Sequence, residues 1–232
     1  MNTIIDGLVK ALWLLISFNS EVYRVILLTL QVSGIAVAVG AFLGIPTGAT
    51  IALRRFVGKH FLVSIVNTLM GLPPVVVGLV VYLILSASGP LGPLQLLYTP
   101  TAMIIAQSIM TVPIVIGVTI SSISAVDRAI HDRALSLGAT RSQLTLTILT
   151  EARLGLVTAI ILAFGAAISE VGAVMIVGGN IRWTTRVLTT AIVLETELGE
   201  FDAAIALGII LLLMSFLVNW ILTQMQWKGA RR

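Results

Sequence analysis

Ser86-Ala87-Ser88-Gly89-Pro90-Leu91-Gly92-Pro93 interrupts a stretch from Phe61 to Val126 that contains no Asp, Glu, Lys, Arg or His. Gly and Pro at this density end regular structure. The stretch therefore reads as two apolar segments joined by a turn, about Phe61–Ser86 and about Tyr98–Ile120. Each is long enough to cross a bilayer, since about 20 helical residues span the roughly 30 Å hydrocarbon layer. Lipid offers no water to bond the backbone, so segments of this length satisfy their own polar groups as helices.

Working outward, Val25–Leu53, Leu154–Ser169, Val171–Ile181 and Ala203–Trp227 are also uncharged. They predict three more spans, about Tyr23–Leu53, Leu154–Val177 and Ala203–Gln226, for five in all. The first is longer than a crossing needs, and Gly40, Gly44 and Pro46 are expected to kink it or let it emerge early. Leu8–Phe18 is short, lies close to Asp6 and Lys10, and lacks the small-residue cleavage site of a signal peptide. It is expected to be an interfacial helix with Trp13 near the headgroups, the alternative being a sixth span. Composition agrees: 58% of residues are hydrophobic and 10% charged, whereas a soluble domain has about 25% charged. The expected fold is an all-α, polytopic membrane bundle, organised as an N-terminal segment 1–22, a transmembrane domain 23–226 and a basic tail 227–232.

With five spans, one side carries Arg54, Arg55, Lys59, Arg128, Arg133, Arg141, Arg153, Lys228, Arg231 and Arg232, ten of the 14 Lys and Arg. The other carries Lys10, Arg24, Arg182 and Arg186 together with Glu195, Glu197, Glu200 and Asp202. The positive-inside rule makes the first side cytoplasmic and puts the C-terminus there, as in a multi-pass protein of a prokaryotic inner membrane. The formal charge of +4 is thus explained by topology, and no basic patch or motif points to nucleic acid. Absence of cysteine excludes disulfides, thiol catalysis and cysteine metal sites. His60 and His131 have no second ligand at metal spacing, and there is no Walker lysine loop, so no metal or other cofactor is expected on this chain and energy must come from a partner or an ion gradient.

Between the third and fourth spans lies the loop 121–152, with a charged island, Asp127 to Gln143. Asp127 to Leu137 contains good helix formers with acidic residues toward its start, Gly138 can adopt the left-handed conformation that ends a helix, and Thr140 with Gln143 is a capping-box pair for a second helix, Arg141 to about Thr150. The predicted product is helix, sharp turn, helix. Ala134 and Ala139 keep the turn slim enough to enter a groove, and Asp132, Arg133 and Arg141 are candidate charge pairs at its rim. The alternative is a solvated loop.

Asp132-Arg133-Ala134-Leu135-Ser136-Leu137-Gly138-Ala139, with Ile148 ten residues after Gly138, resembles the EAA motif of permease subunits of ABC importers. Asp132 stands where that motif has Glu, Arg133 where it has its first Ala, and Thr150-Glu151 where it ends in Leu-Pro. The resemblance implies a coupling helix that seats in a separate ATPase, so that Asp132, Arg133, Ala134, Leu135, Gly138, Ala139, Thr140 and Arg141 become the candidate ATPase-coupling residues, with ATP and Mg held on that partner. Ser169-Glu170-Val171-Gly172-Ala173, Val177-Gly178-Gly179-Asn180-Ile181 and Thr184-Thr185-Arg186-Val187-Leu188-Thr189-Thr190 further resemble the sulfate, molybdate and tungstate permeases, most of all the tungstate type.

Glu170 is the only charged residue within the interior of any predicted span. A carboxylate there is costly and faces a partner, backbone or water. It is either a gate residue or a hydrogen-bonding hub, the second being favoured for an anion importer because a bare carboxylate repels the substrate. Small neighbours, Gly165, Ala166, Ala167, Gly172 and Ala173, permit close helix packing. Neutral donors suit a dianion that must be bound weakly and released, which makes Ser169, Thr111, Thr119, Ser121, Asn180, Thr184 and Thr185 candidates for the pathway or outer mouth, although most membrane hydroxyls bond their own helix. Leu72-Pro73-Pro74 and Val112-Pro113 interrupt backbone bonding and could line a path, act as hinges or form static kinks.

Together these readings describe a permease that pairs with a second copy, docks two ATPase subunits and receives tungstate or molybdate from an external oxyanion-binding protein, within membrane lipid. The acidic segment Glu195–Asp202 is a candidate landing site for that protein or a solvated loop. The alternatives are a permease for an amino acid such as methionine, and an ion-coupled secondary transporter using Glu170; a channel or structural subunit does not account for the capped turn.

Overall fold

The computed structural model describes residues 2–230, with no strand among them. Arg231 and Arg232, which belong to the expected basic tail, lie outside the described residues. Eleven helices follow one another: α1 Asn2–Ile16, α2 Ser20–Leu53, α3 Lys59–Met70, α4 Pro74–Leu85, α5 Pro100–Ser124, α6 Arg128–Ser136, α7 Arg141–Glu151, α8 Arg153–Ile168, α9 Gly172–Gly178, α10 Leu188–Glu197 and α11 Phe201–Ala230. Three, α2, α5 and α11, are long and apolar enough to cross a membrane alone, and five crossings result when the bent pairs α3–α4 and α7–α8 are each counted as one.

The first span is not interrupted at Gly40, Gly44 or Pro46. α2 is one helix of 34 residues, about 51 Å at 1.5 Å per residue, and its glycines serve packing instead. A Cβ on Gly40, Gly44 or Gly48 would lie 3.0, 2.7 and 2.8 Å from atoms of Thr111, Val115 and Thr119 respectively. Four-residue spacing on both helices puts the bare glycine stripe of α2 against a ridge of α5, the small-residue packing that brings membrane helices close. Thr111 Oγ1 donates to Ala36 O at 3.0 Å across this seam. Pro46 costs one backbone bond in a helix that remains unbroken.

The second span is bent by 93° between α3 and α4. Pro73 is the N-cap of α4 and Pro74 its first residue, where a missing N–H costs nothing, because the first helical N–H has no intrahelical acceptor in any case. Ser86–Leu91 and a 3-10 turn at Gly92–Leu94 then lead to α5, as the Gly and Pro density predicts. The fourth span, expected to be continuous over Leu154–Val177, is broken: α8 ends at Ile168 and α9 begins at Gly172. No proline marks that break.

α1 runs antiparallel to the start of α11. A Cβ on Gly7 would meet Ile205 Cγ2 at 2.5 Å, and Lys10 Nζ lies 2.7 Å from Asp202 Oδ2. Ala11 joins Val22, Val25, Leu188, Ala206 and Ile210 in one buried cluster. Two ends of the bundle are thereby defined: a basic face with Arg54, α6 and α7, and an opposite face with Asn19, Arg182 and Asp202.

Candidate functional site

Two helix breaks meet inside the bundle. α4 starts at Pro74 and α9 at Gly172, and a Cβ on Gly172 would sit 3.0 Å from Val75 Cγ2 and 3.7 Å from Val75 N. One turn later, a Cβ on Gly78 would be 2.8 Å from Ala173 Cα. The two short helices therefore run side by side in the same direction, ending where Tyr98 N donates to Val177 O at 2.9 Å. Position 78 has no room for a Cβ against the Ala173 backbone, and a Cβ at 172 would crowd the Val75 side chain. Pro73, Pro74, Ser169, Glu170 and Gly172 are thus drawn into one neighbourhood.

Glu170 holds the second break together. It is 8% exposed, and its Oε1 accepts from Ala173 N at 2.9 Å, capping the first turn of α9. Its own carbonyl accepts from Thr189 Oγ1 of α10 at 2.9 Å, while the Ala167 carbonyl accepts from Gln107 Nε2 of α5 at 2.9 Å. Backbone groups released by a break in lipid cost several kcal/mol each unless re-bonded. Here three side chains, from α5, α10 and the break itself, bond them, as the hub reading of Glu170 supposes. Ser169 remains exposed on the outer side of the break, its hydroxyl donating to Gly165 O at 2.8 Å. Gln107 and Thr189 are functional-site residues that the sequence reading missed. Gln107, as the only carboxamide in Pro100–Ser124, was the available signal.

The remaining pathway candidates lie elsewhere. Thr111 and Thr119 are 1% and 0% exposed in the α2–α5 seam. Pro113 is also buried there, inside an unbroken α5. Ser121 sits near the basic-face end of α5, not at the opposite mouth. Asn180 adopts φ +49° after Gly179 at φ +68° and donates from Nδ2 to Thr190 O at 3.2 Å. Thr185 is fully buried and bonds Gly178 O and Ile181 N, folding the α9–α10 loop onto itself. Thr184 is exposed on that loop. Thr111 and Thr185 already donate to backbone carbonyls, whereas the buried Thr119 hydroxyl has no hydrogen-bond partner among the described residues.

On the basic face the island folds as its signals dictate. Asp127 Oδ1 accepts from Ala129 N at 2.9 Å to start α6. Gly138 takes φ +78°, with Gly138 N donating to Leu135 O at 2.9 Å and Ala139 N to Ala134 O at 3.1 Å, the bonding of a left-handed helix end. Thr140 and Gln143 form the reciprocal capping box of α7, Thr140 N donating to Gln143 Oε1 at 2.8 Å. Leu137 is 83% and Leu135 48% exposed beside this turn. A groove of about 540 Å³ lined by Arg133, Ala134, Gly138, Ala139 and Gln143 lies between the two helices. Arg133 and Arg141 make no ion pair among the described residues, and Asp132 meets only its neighbour His131, at 3.4 Å. Among the described residues these three side chains are therefore not tied up in ion pairs with Lys, Arg, Asp or Glu of the chain itself.

Comparison with known proteins bears on the whole chain. Residues 40–226 match the family described as binding-protein-dependent transport system inner membrane component. A probable anion ABC transporter permease protein of Haloferax volcanii is 47% identical, covering 82% of this chain and 84% of its own. Tungstate uptake system permease proteins of Peptoclostridium acidaminophilum and Campylobacter jejuni are 42% and 38% identical, covering 97% and 95% of this chain and 99% and 92% of theirs. Among solved structures, a bacterial ABC transporter that imports alginate gives a TM-score of 0.72 at 21% identity, over 91% of this chain and 81% of that one. The MetNI methionine ABC transporter gives 0.69 at 15% identity, over 94% and 97%. The last two show the shared fold. With the bundle, the two breaks and the capped turn in place, the chain belongs to the inner-membrane permease components of binding-protein-dependent ABC transport systems.

Proposed function

We propose that the chain is the membrane subunit of an importer for a tetrahedral metal oxyanion, tungstate or molybdate, and that two copies enclose the pathway between them. The observation that carries this reading is 42% identity to a tungstate uptake permease across nearly the full length of both chains. The paired helix breaks support it physically. They leave Ser169 exposed at the α8–α9 break, and non-helical backbone at membrane depth is tolerated where it lines a water-filled cavity. Neutral donors suit weak, reversible binding of a dianion, whereas fixed cations would trap it. The one carboxylate in the interior of the spans is buried and accepts from Ala173 N, so it does not face the anion bare. Methionine is supported by fold likeness alone, at 15% identity.

In this mechanism the basic face is cytoplasmic and the C-terminus lies inside. The α6–α7 turn enters a cleft on each of two ATPase subunits, with exposed Leu135 and Leu137 as apolar anchors and Arg133 and Arg141 at the rim. ATP and Mg reside on those subunits. Their closure moves the paired turns together and rocks the spans, while an external oxyanion-binding protein delivers substrate at the opposite face.

Reconstitution of the complete assembly tests this. ATPase activity should be stimulated by binding protein loaded with tungstate or molybdate, and uptake should need both ATP and that protein. Stimulation by methionine alone would overturn the oxyanion assignment, and uptake driven by a pH gradient without ATP would overturn the pumping mechanism.

A further inference from the structure

At the opposite face a cleft of about 480 Å³ opens among α1, α2, α10 and α11. Its walls are apolar, with Leu14, Val25, Leu194 and Leu207 contributed by the four helices in turn. Its rim is charged, and unevenly so. Glu21 is shared by two guanidinium groups, Arg182 through Nε at 2.8 Å and Arg186 through Nη1 at 3.6 Å. That side therefore carries one positive charge in excess. Arg186 Nε is buried and has no hydrogen-bond partner. On the other wall Glu195 is half-buried and has no basic partner among the described residues. Lys10 also lines the cleft but is neutralised by Asp202.

The depth of the cleft is marked by tryptophans. Trp183, 45% exposed on the loop above, lies with its ring 5.4 Å from Arg182 and 5.8 Å from Arg24. Trp13 of α1 is 61% exposed on the membrane side. Indoles settle at the headgroup level, so the rim lies among headgroups and the apolar walls descend toward the acyl layer. On α1, which contributes Lys10 and Leu14 to the cleft, Leu8, Val9, Leu12 and Ile16 are 47 to 75% exposed.

We propose that this cleft binds one phospholipid whose headgroup carries both a phosphate and a primary ammonium. The phosphate bonds the Arg182–Arg186 side, which carries the excess positive charge, the ammonium bonds Glu195, and part of an acyl chain fills the apolar walls. An anionic lipid without an amine leaves Glu195 unmatched and repelled. A choline headgroup keeps the charge but has no N–H to donate. Such recognition uses the rule by which basic pockets between membrane helices hold lipid phosphates, extended by an acid for the amine.

The assembled transporter, extracted into nanodiscs of defined lipid and examined by native mass spectrometry, should retain one phospholipid per permease copy. In competition, phosphatidylethanolamine should be preferred over phosphatidylcholine and phosphatidylglycerol by about tenfold, the ratio set by one charge-assisted hydrogen bond. Glu195→Gln should bring the ethanolamine-to-choline preference to about onefold, and Leu194→Trp, which fills the cleft, should abolish the retained lipid. Absence of a retained lipid on the wild type, equal preference among the three headgroups, or an undiminished lipid in the Leu194→Trp variant each overturns the proposal. The wild-type competition decides it alone should a variant fail to assemble. None of these readouts depends on which substrate is carried.

Discussion

Both membrane breaks interrupt a span and start a new helix within a few residues, yet they have different physical origins. At α3–α4 the cause is local: Pro73 and Pro74 remove two donors and bar the preceding residues from helical geometry, so the chain must turn wherever it is placed. At α8–α9 Ser169-Glu170-Val171 contains nothing that forbids a helix. That break exists because Glu170 caps Ala173, Thr189 takes the Glu170 carbonyl, Gln107 takes the Ala167 carbonyl, and Gly78 lets α4 lie against Ala173. A proline break is insensitive to its surroundings; a capped break is only as stable as the partners that satisfy it.

The largest consequence concerns Glu170→Leu. It leaves Ala173 N–H without an acceptor inside the membrane, at a cost of about 1–3 kcal/mol, and folded yield and uptake should both fall by about tenfold or more. Size-exclusion yield together with uptake in cells checks this, and near-normal values for both would sink the capping role. The Gly138→Val variant tests local encoding outside the membrane. Valine at φ +78° carries a left-handed penalty of about 1–2 kcal/mol, so ATP-driven uptake should drop by about tenfold while membrane insertion stays intact. Normal uptake with normal ATPase co-purification would remove the coupling role of the turn.

Smaller effects separate the two breaks further. Pro73→Ala with Pro74→Ala restores two donors and allows α3 to continue. Uptake should fall a few-fold, on the order of 1 kcal/mol, and spin labels flanking the elbow should report a more open angle than 93°. An unchanged angle would show that tertiary packing, not proline, makes this bend. Glu170→Gln keeps an oxygen acceptor for Ala173 N, so uptake and yield should stay within about threefold of the wild type, a change of less than ~1 kcal/mol. A loss as large as that of Glu170→Leu would mean that the charge itself is required.

Much was legible along the chain because membrane and turn signals are local. Apolar runs of sufficient length, the Gly and Pro density at Ser86–Pro93, the capping pair Thr140–Gln143 and the turn glycine Gly138 depend on neighbours a few residues away, and each appears as read. The site was legible only in part. Glu170 drew attention by being charged in an apolar run, but Gln107 and Thr189 are ordinary membrane polar residues until folding brings them 60 and 19 positions along the chain to the same break. The hydroxyls of Thr111 and Thr185 resembled an anion path for the same reason: sequence shows a donor, not whether it is already engaged.

The sequence by itself determined that this protein is a helical membrane bundle with a capped turn on its basic side, since hydrophobic length, proline and glycine act through the backbone wherever they occur. Only the tertiary structure decided that α2 gives its glycines to α5, that the fourth span breaks at Glu170, and that Arg186, Glu21 and Glu195 ring one cleft. Those outcomes depend on close approach and on hydrogen bonds between distant segments, and the free energy of such contacts exists only once the segments are packed together.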